Sequence, residues 1–215
     1  PFLAICKAMI ETGIKPDFIT VDGAEGGTGA APMEYASYIG MPLDDALSFV
    51  HYALRGFGIR GDIKIIASGR IATGFDMVRK IALGADVLNS GRAMMMSVGC
   101  IQSRQCNKNT CPVGVATTNP RLYKFLDVKD KAERAYRYHD QTMKSFLSIV
   151  GAMGLSNPSD LKPFQVHRRL APDVIKTYDQ IYLGVDDCSL LNEQTVPAHW
   201  KLFWDRARAH TFELV

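Results

Sequence analysis

Apolar positions follow two alternating rhythms over the first hundred residues, and the boundaries between them are mostly glycines. Residues 3–12 (Leu-Ala-Ile-Cys-Lys-Ala-Met-Ile-Glu-Thr) carry a helical pattern that stops at Gly13. Phe18-Ile19-Thr20-Val21 is a short, mostly apolar run of the kind expected for a strand buried on both faces. A second helix is predicted from Leu43 to about Phe57, with positions 43, 46, 47, 50, 54 and 57 on one stripe. Ile63–Ala67 predicts the next strand, and Thr73 with Asp76 predicts a capping box that opens a helix over about 74–83. Ala85–Asn89 predicts a third strand, and Ala93 to Val98 a short helix. Strand, glycine loop and helix thus recur three times, the rhythm of βα units on a parallel sheet.

Beyond residue 119 the pattern changes. A long helix is predicted over about 130–152, with its stripe at 132, 135, 136, 143, 146, 147 and 150 and its stop at Gly154. Asn157-Pro158 predicts an N-cap followed by proline at the first helical position, opening a short helix. A further helix is expected over about 172–182, while the tail after Asp186 has no clear periodic class.

Composition narrows the class without naming a function. Of 215 residues, 47% are hydrophobic and 22% charged, which allows a sizeable core and argues against disorder. The net charge of +3 and the lack of basic blocks with interleaved aromatics argue against a nucleic-acid partner. No apolar run is long enough to span a bilayer. An odd count of five cysteines suits a reducing cytoplasm better than a disulfide framework. The opening at Pro1, without Met, reads as the middle of a helix, so the chain is expected to be a fragment.

Candidate chemistry lies where the strands end. The loop after the first strand is Asp22-Gly23-Ala24-Glu25-Gly26-Gly27-Thr28-Gly29-Ala30. The loops after the second and third are the same tripeptide, Ser68-Gly69-Arg70 and Ser90-Gly91-Arg92. Glycines at the C-terminal ends of parallel strands let backbone N–H groups approach phosphate oxygens, and barrels hold phosphate after strands seven and eight. One such loop alone is most simply a tight turn; two matched ones beside a cysteine cluster favour a ligand site. That cluster is Cys100, Cys106 and Cys111, spaced C-x5-C-x4-C and followed by Pro112. A structural zinc site wants four ligands, and neither the spacing nor a nearby histidine supplies them. His51 and His139 read as ordinary histidines, and Cys6 and Cys188 as structural thiols. An iron–sulfur cluster with three cysteine ligands is favoured over inert thiols.

Together, Gly26-Gly27-Thr28-Gly29-Ala30-Ala31-Pro32, Ser68-Gly69-Arg70 with Thr73-Gly74, and the cysteine motif with its Pro-Val-Gly-Val-Ala extension resemble glutamate synthase. The resemblance is to the C-terminal part of the FMN-binding synthase domain, in the short glutamate synthase-like branch. It covers at least residues 17–122. It implies an α/β fold, the C-terminal part of a (β/α)8 TIM barrel at about strands six to eight, with a mostly helical C-terminal cap. The implied divisions are 1–122 for the barrel part with its cysteine loop and 123–215 for an extension packed on it. By the same resemblance, Cys100, Cys106 and Cys111 would ligate a [3Fe-4S] cluster. Ser68, Gly69, Arg70, Ser90, Gly91 and Arg92 would hold the FMN phosphate, and Asp22, Gly23, Gly26, Gly27, Thr28 and Gly29 would line the flavin.

The implied reaction is reduction of 2-iminoglutarate, formed from 2-oxoglutarate and ammonia or glutamine, to L-glutamate. Electrons would come from ferredoxin or an NADPH-oxidising flavoprotein subunit, with a separate glutaminase as a further partner and an oligomeric assembly expected. Long synthases have other residues in place of the two arginines, a departure that fits the short branch. The substrate-side lysine and the remaining flavin contacts of the family are not in this chain, so the catalytic residues are expected upstream and the fragment alone is expected to be inactive. Two alternatives stay open: an FMN and iron–sulfur enzyme for another amino or imino acid, and a non-catalytic electron-transfer piece.

Overall fold

A computed structural model describes residues 1–24, 31, 32, 34, 35 and 38–213. Three strands, β1 (Phe18–Asp22), β2 (Lys64–Ser68) and β3 (Val87–Asn89), form a parallel sheet in sequence order. Their register aligns Thr20 with Ile66 and Val87, and Asp22 with Ser68 and Asn89, so the three strands end level. Helix α1 (Phe2–Thr12) precedes β1 and is closed by Gly13 in the left-handed conformation. Helix α2 (Leu43–Gly56) packs on β1 and β2, and α3 (Gly74–Ala82) packs on β3.

The core lies between this helical layer and one face of the sheet. Leu43, Leu47, Leu54, Ile63, Ile65 and Leu83 are fully buried there, each worth about 1.5–3 kcal/mol in apolar burial. Val21, Ile65 and Ala67 point into it. The opposite face departs from the expectation of strands buried on both sides. Period-two alternation sends Phe18, Thr20 and Asp22 of β1 to the other face, where Phe18 is 58% exposed, and Val87 of β3 is 50% exposed.

After α4 (Arg92–Ser97) the chain passes through the cysteine segment, which contains one 3-10 turn (Cys106–Lys108). It continues through α5 (Pro120–Tyr123) into the long helix α6 (Val128–Ala152). Asn119 caps α5 and Asp127 caps α6. Helix α6 forms an outer layer against α3 and α4. Only Phe146 and Val150 are fully buried on it; Tyr136 and Leu147, expected on the stripe, are exposed. The face that packs instead runs through Ala135, Tyr138, Thr142, Phe146 and Ile149, so polar side chains complete a stripe that apolar ones suggested elsewhere.

The C-terminal part is less helical than expected. Asn157-Pro158 opens only a 3-10 turn (Pro158–Asp160), and a second turn follows (Pro163–Gln165). The helix expected over 172–182 is replaced by an antiparallel hairpin, β4 (His167–Ala171) and β5 (Val174–Thr177), leaving one helical turn, α7 (Tyr178–Ile181). The reason is local: Pro172-Asp173 supplies the turn, and the β-branched Val174, Ile175 and Thr177 favour strand. The tail forms α8 (Ala198–Arg206), whose buried Trp200 stacks on Phe49 of α2 with ring centroids 4.8 Å apart. Lys7 of α1 clips its end by donating to the carbonyls of Trp204 and Ala207. No helix among the described residues is long and apolar enough to cross a membrane.

Candidate functional site

Level strand ends bring the predicted turns to one edge of the sheet. The Asp22 carboxylate accepts the N–H of Ala24 at 2.8 Å, and Gly23 donates its N–H to the Ser68 carbonyl at 3.0 Å. Gly23 is pressed against the start of α2, where an added Cβ would fall 2.5 Å from the Leu43 Cβ. Ser90 Oγ donates to the Ile71 carbonyl at 2.7 Å, tying the third strand's turn to the second's. Asp22, Gly23, Ser68, Gly69, Arg70, Ser90, Gly91 and Arg92 thus share one edge. Gly26, Gly27, Thr28 and Gly29 lie outside the described residues.

The helix starts behind the two Ser-Gly-Arg turns differ in what they leave for a ligand. Thr73 caps α3 with a complete capping box: its hydroxyl accepts the Asp76 N–H, and the Asp76 carboxylate accepts the N–H groups of Ala72 and Thr73. That helix start carries its own anion. Helix α4 begins directly at Arg92, its N-cap Gly91 offers no side chain, and a Cβ at Gly91 would meet nothing within 4 Å among the described residues. A helix start without a side-chain cap beside a glycine fits the approach of a phosphate.

The three cysteines are free thiols on a wrapped segment. Cys100 Sγ accepts the N–H of Gln102 at 3.4 Å, and Cys106 opens the 3-10 turn. Asn109 braces the wrap: its carbonyl accepts Thr117 Oγ1 at 2.8 Å and its side chain accepts the Thr118 N–H at 2.7 Å. Burial raises the Cys111 thiol, but the N–H groups of Ala116, Val113, Val115 and Gly114 directed at its sulfur outweigh that, and its pKa falls below the ordinary value. Four amides around one sulfur make a thiolate suited to iron. Cys6 is the contrast, a core thiol that burial alone pushes up to about 12.

Among the described residues no three His, Cys, Asp or Glu side chains close on a single ion. An iron–sulfur cluster would instead be held by thiolates, here Cys100, Cys106 and Cys111, and would supply one-electron transfer. The donor set of three free thiols on one segment, one with its pKa lowered by surrounding amides, fits an iron–sulfur cluster in its chemistry.

A cleft of about 500 Å³ beside the first Ser-Gly-Arg turn was not foreseen. Asp44, Arg70, Arg79, Lys80, Arg168 and Tyr182 line it. Asp44 accepts from both Arg79 and Lys80, while Arg79 Nε donates to Tyr178 Oη at 2.7 Å. Burial raises the Asp44 carboxyl, but Lys80 and Arg79 outweigh it and hold it below the usual carboxylate range. Thirty-five residues separate Asp44 from Arg79, so no local pattern announces the pairing.

A family model described as a conserved region in glutamate synthase matches residues 5–156. The chain belongs to the glutamate synthase family. It is similar to the glutamate synthase large subunit-like protein YerD of Bacillus subtilis, 44% identical over 150 residues, covering 70% of this chain and 29% of that protein. It is 36% identical over 146 residues to the archaeal glutamate synthase (NADPH) of Methanocaldococcus jannaschii, covering 68% of this chain and 29% of that one. The chain therefore spans less than a third of the length of these glutamate synthase relatives. Among solved structures, a flavocytochrome b2 variant with sulfite bound shares 15% identity at a TM-score of 0.42, covering 87% of this chain and 42% of that one, a likeness too slight to carry an argument. The family match includes all three strand-end turns, the cysteine segment and the whole of α6; the hairpin and α8 lie beyond it.

Proposed function

We propose that this chain is the C-terminal part of a glutamate synthase-type oxidoreductase that reduces 2-iminoglutarate, made from 2-oxoglutarate and ammonia or glutamine, to L-glutamate. Its three βα units would be about strands six to eight of a (β/α)8 barrel, with residues 1–122 as the barrel part and 123–215 as the extension on it. The exposed sheet face, with Phe18, Thr20, Ile66 and Val87 in register, supports this reading, because barrel strands need their second face for the interior. When bound, a [3Fe-4S] cluster would relay single electrons and FMN would convert pairs of them to hydride delivery.

The chain's own residues have distinct tasks in this scheme. Gly91 and Arg92 form the seat of the FMN phosphate at the start of α4, while Ser68, Gly69, Arg70 and Ser90 shape the neighbouring wall. Asp22 and Gly23, with the Gly26–Gly29 loop, line the flavin side of the same edge. Cys100, Cys106 and Cys111 hold iron, and the amides around Cys111 favour its thiolate form. The observation that carries the proposal is this adjacency: open turns at level strand ends lead through a two-turn helix directly into three free thiols.

The test is an anaerobic visible and EPR spectrum of the intact protein, with iron and FMN quantified. Wild type should contain both. Cys106→Ser should lose the brown absorbance and the iron while retaining FMN, since thiolates hold iron and glycine turns hold phosphate. Unchanged iron in that variant would refute the assignment.

A further inference from the structure

Asn109 stands between the second and third cysteines, where the 3-10 turn that begins at Cys106 ends. Its backbone is left-handed, with φ 59° and ψ 21°, a conformation that asparagine tolerates better than most side chains. The reversal it makes joins two braces. On one side, Thr110 Oγ1 donates to Gln105 Oε1 at 2.8 Å and closes the turn that carries Cys106. On the other, Asn109 reaches across the chain to Thr117 and Thr118.

That second brace is the denser one. Thr117 Oγ1 lies 2.8 Å from both the Asn109 carbonyl oxygen and Asn109 Oδ1, so its single proton is shared between them. Oδ1 also accepts the Thr118 N–H at 2.7 Å and the Thr118 hydroxyl at 3.2 Å. A backbone N–H can only donate, which fixes the amide oxygen, not its nitrogen, on that side. These bonds close residues 110–117 into a loop, and inside it lie Cys111 and the N–H groups of residues 113–116 aimed at its sulfur. The chain of bonds continues outward: Thr117 Oγ1 accepts the Asn119 N–H at 3.1 Å, and Asn119 Oδ1 accepts the Arg121 N–H at 3.0 Å at the start of α5. Gly114 lets α5 close on the loop, since a Cβ there would stand 2.8 Å from the Tyr123 Cα.

We infer that Asn109 is the positioning residue of the cysteine site, holding Cys106 and Cys111 in the relative placement from which three thiols take iron as one set. The inference rests on the functional reading above, in which those thiols hold an iron–sulfur cluster. Asn109 is exposed and belongs to no part of the hydrophobic core, so its bonds serve the shape of the loop rather than the packing of the fold. Two properties are needed together at this position: tolerance of the left-handed turn, and a hydrogen-bond acceptor one carbon beyond Cβ. Glycine supplies the first alone. Aspartate supplies both.

The experiment uses the intact protein, purified anaerobically, with iron, FMN and the EPR spectrum recorded on every sample. Release of iron to a ferrous chelator is then followed by absorbance. Asn109→Gly keeps the turn and loses the acceptor, so it should release iron about tenfold faster than wild type and show a shifted EPR signal, as expected when a group that orients metal ligands is removed. Asn109→Asp should restore the wild-type signal and release iron within about twofold of the wild-type rate. Asn107→Gly, the same exchange inside the 3-10 turn, should behave as wild type.

Three results would overturn the inference: Asn109→Gly with the wild-type release rate, Asn109→Asp losing iron as fast as Asn109→Gly, or Asn107→Gly losing it equally fast. Loss of FMN in step with iron from Asn109→Gly would mark a general loosening of the fold and would overturn it as well. Wild type without iron would remove the functional reading. Wild type with iron, beside an Asn109→Gly variant that holds it equally well, would remove only this one.

Discussion

The two Ser-Gly-Arg turns end neighbouring strands, yet the chain leaves them by different routes. At the first, Gly69 has φ +144° and Arg70 φ +46°, and three more residues intervene before α3. That turn is held from three sides: Gly69 lies against Leu43 and Gly23, Asp76 gathers the N–H groups ahead of α3, and Tyr138 of α6 donates to the Ala72 carbonyl. At the second, Gly91 sits at φ −87° and α4 starts at the next residue. The Ser90 hydroxyl ties it to the Ile71 carbonyl, and its strand is anchored at the opposite end, where Arg60 binds the Gly84 carbonyl and Asp86. One turn is built as a wall and the other is left open, although the three residues are the same. What decides is the next layer, not the tripeptide.

That contrast can be broken in a graded way. The largest effect is expected from Gly74→Ala, because the new Cβ would fall 2.5 Å from the Phe146 backbone nitrogen and neither helix can yield cheaply. A loss of about 3 kcal/mol is expected, read as a lowered unfolding midpoint of the intact protein. If α6 is the clamp behind the first turn, Phe146→Ala should not rescue it, since the collision is with backbone.

The anchoring of the second strand predicts a pH effect. Burial and the nearby Arg60 and Arg55 cations lower the His51 pKa from 6.5 to about 4, and its neutral Nδ1 accepts from Arg60 at 3.1 Å. Folded protein thus binds fewer protons than unfolded between those values. The stabilisation is complete above pH 6.5 and is lost as pH falls toward 4, by about 2 kcal/mol. Urea unfolding at pH 7.5 and 5 should show the drop, and His51→Gln should flatten that part of the profile.

Gly69→Ala and Gly91→Ala test the comparison most directly. Alanine at the first must adopt φ near +144° and should cost about 1–3 kcal/mol in stability. At the second, alanine fits the backbone and meets open space, so stability should move by less than about 0.5 kcal/mol. FMN retention should respond the other way at that site, falling at Gly91→Ala because a methyl group would stand where the phosphate approaches. Fluorimetric titration of FMN into the deflavinated intact protein reads this; unchanged affinity would mean that the open turn is not the phosphate seat. Thr73→Ala, which removes one half of the capping box, should cost at most a few tenths of a kcal/mol, about 0.3, because Asp76 keeps the remaining N–H groups.

Sequence pattern made the sheet half of the molecule legible because its signals are local. The three strands, the stops at Gly13 and Gly84 and the Thr73–Asp76 box each depend on residues within one turn of one another. Signals that span the chain were invisible. Asp44 finds Arg79 and Lys80 only once α2 and α3 lie side by side, and Tyr136 and Leu147 look like core until α6 turns Tyr138 and Thr142 inward. The β4–β5 hairpin was misread because Arg168, Arg169 and Lys176 interrupt its alternation, and its turn, Pro172-Asp173, passes equally for a helix start. At the site, the cysteine spacing pointed to iron chemistry, while the amides that prepare Cys111 became visible only when residues 113–116 folded back on it.

The bare face of the three-stranded sheet has a consequence for how this polypeptide can live. A parallel sheet with Phe18 and Val87 in water, and with β1 and β3 both at its margins, is an incomplete solvent boundary. Its native state is therefore conditional on whatever occupies that side. Produced without a cover, the chain should self-associate through it. Its apparent stability would then depend on protein concentration rather than on the helices that pack so well behind it.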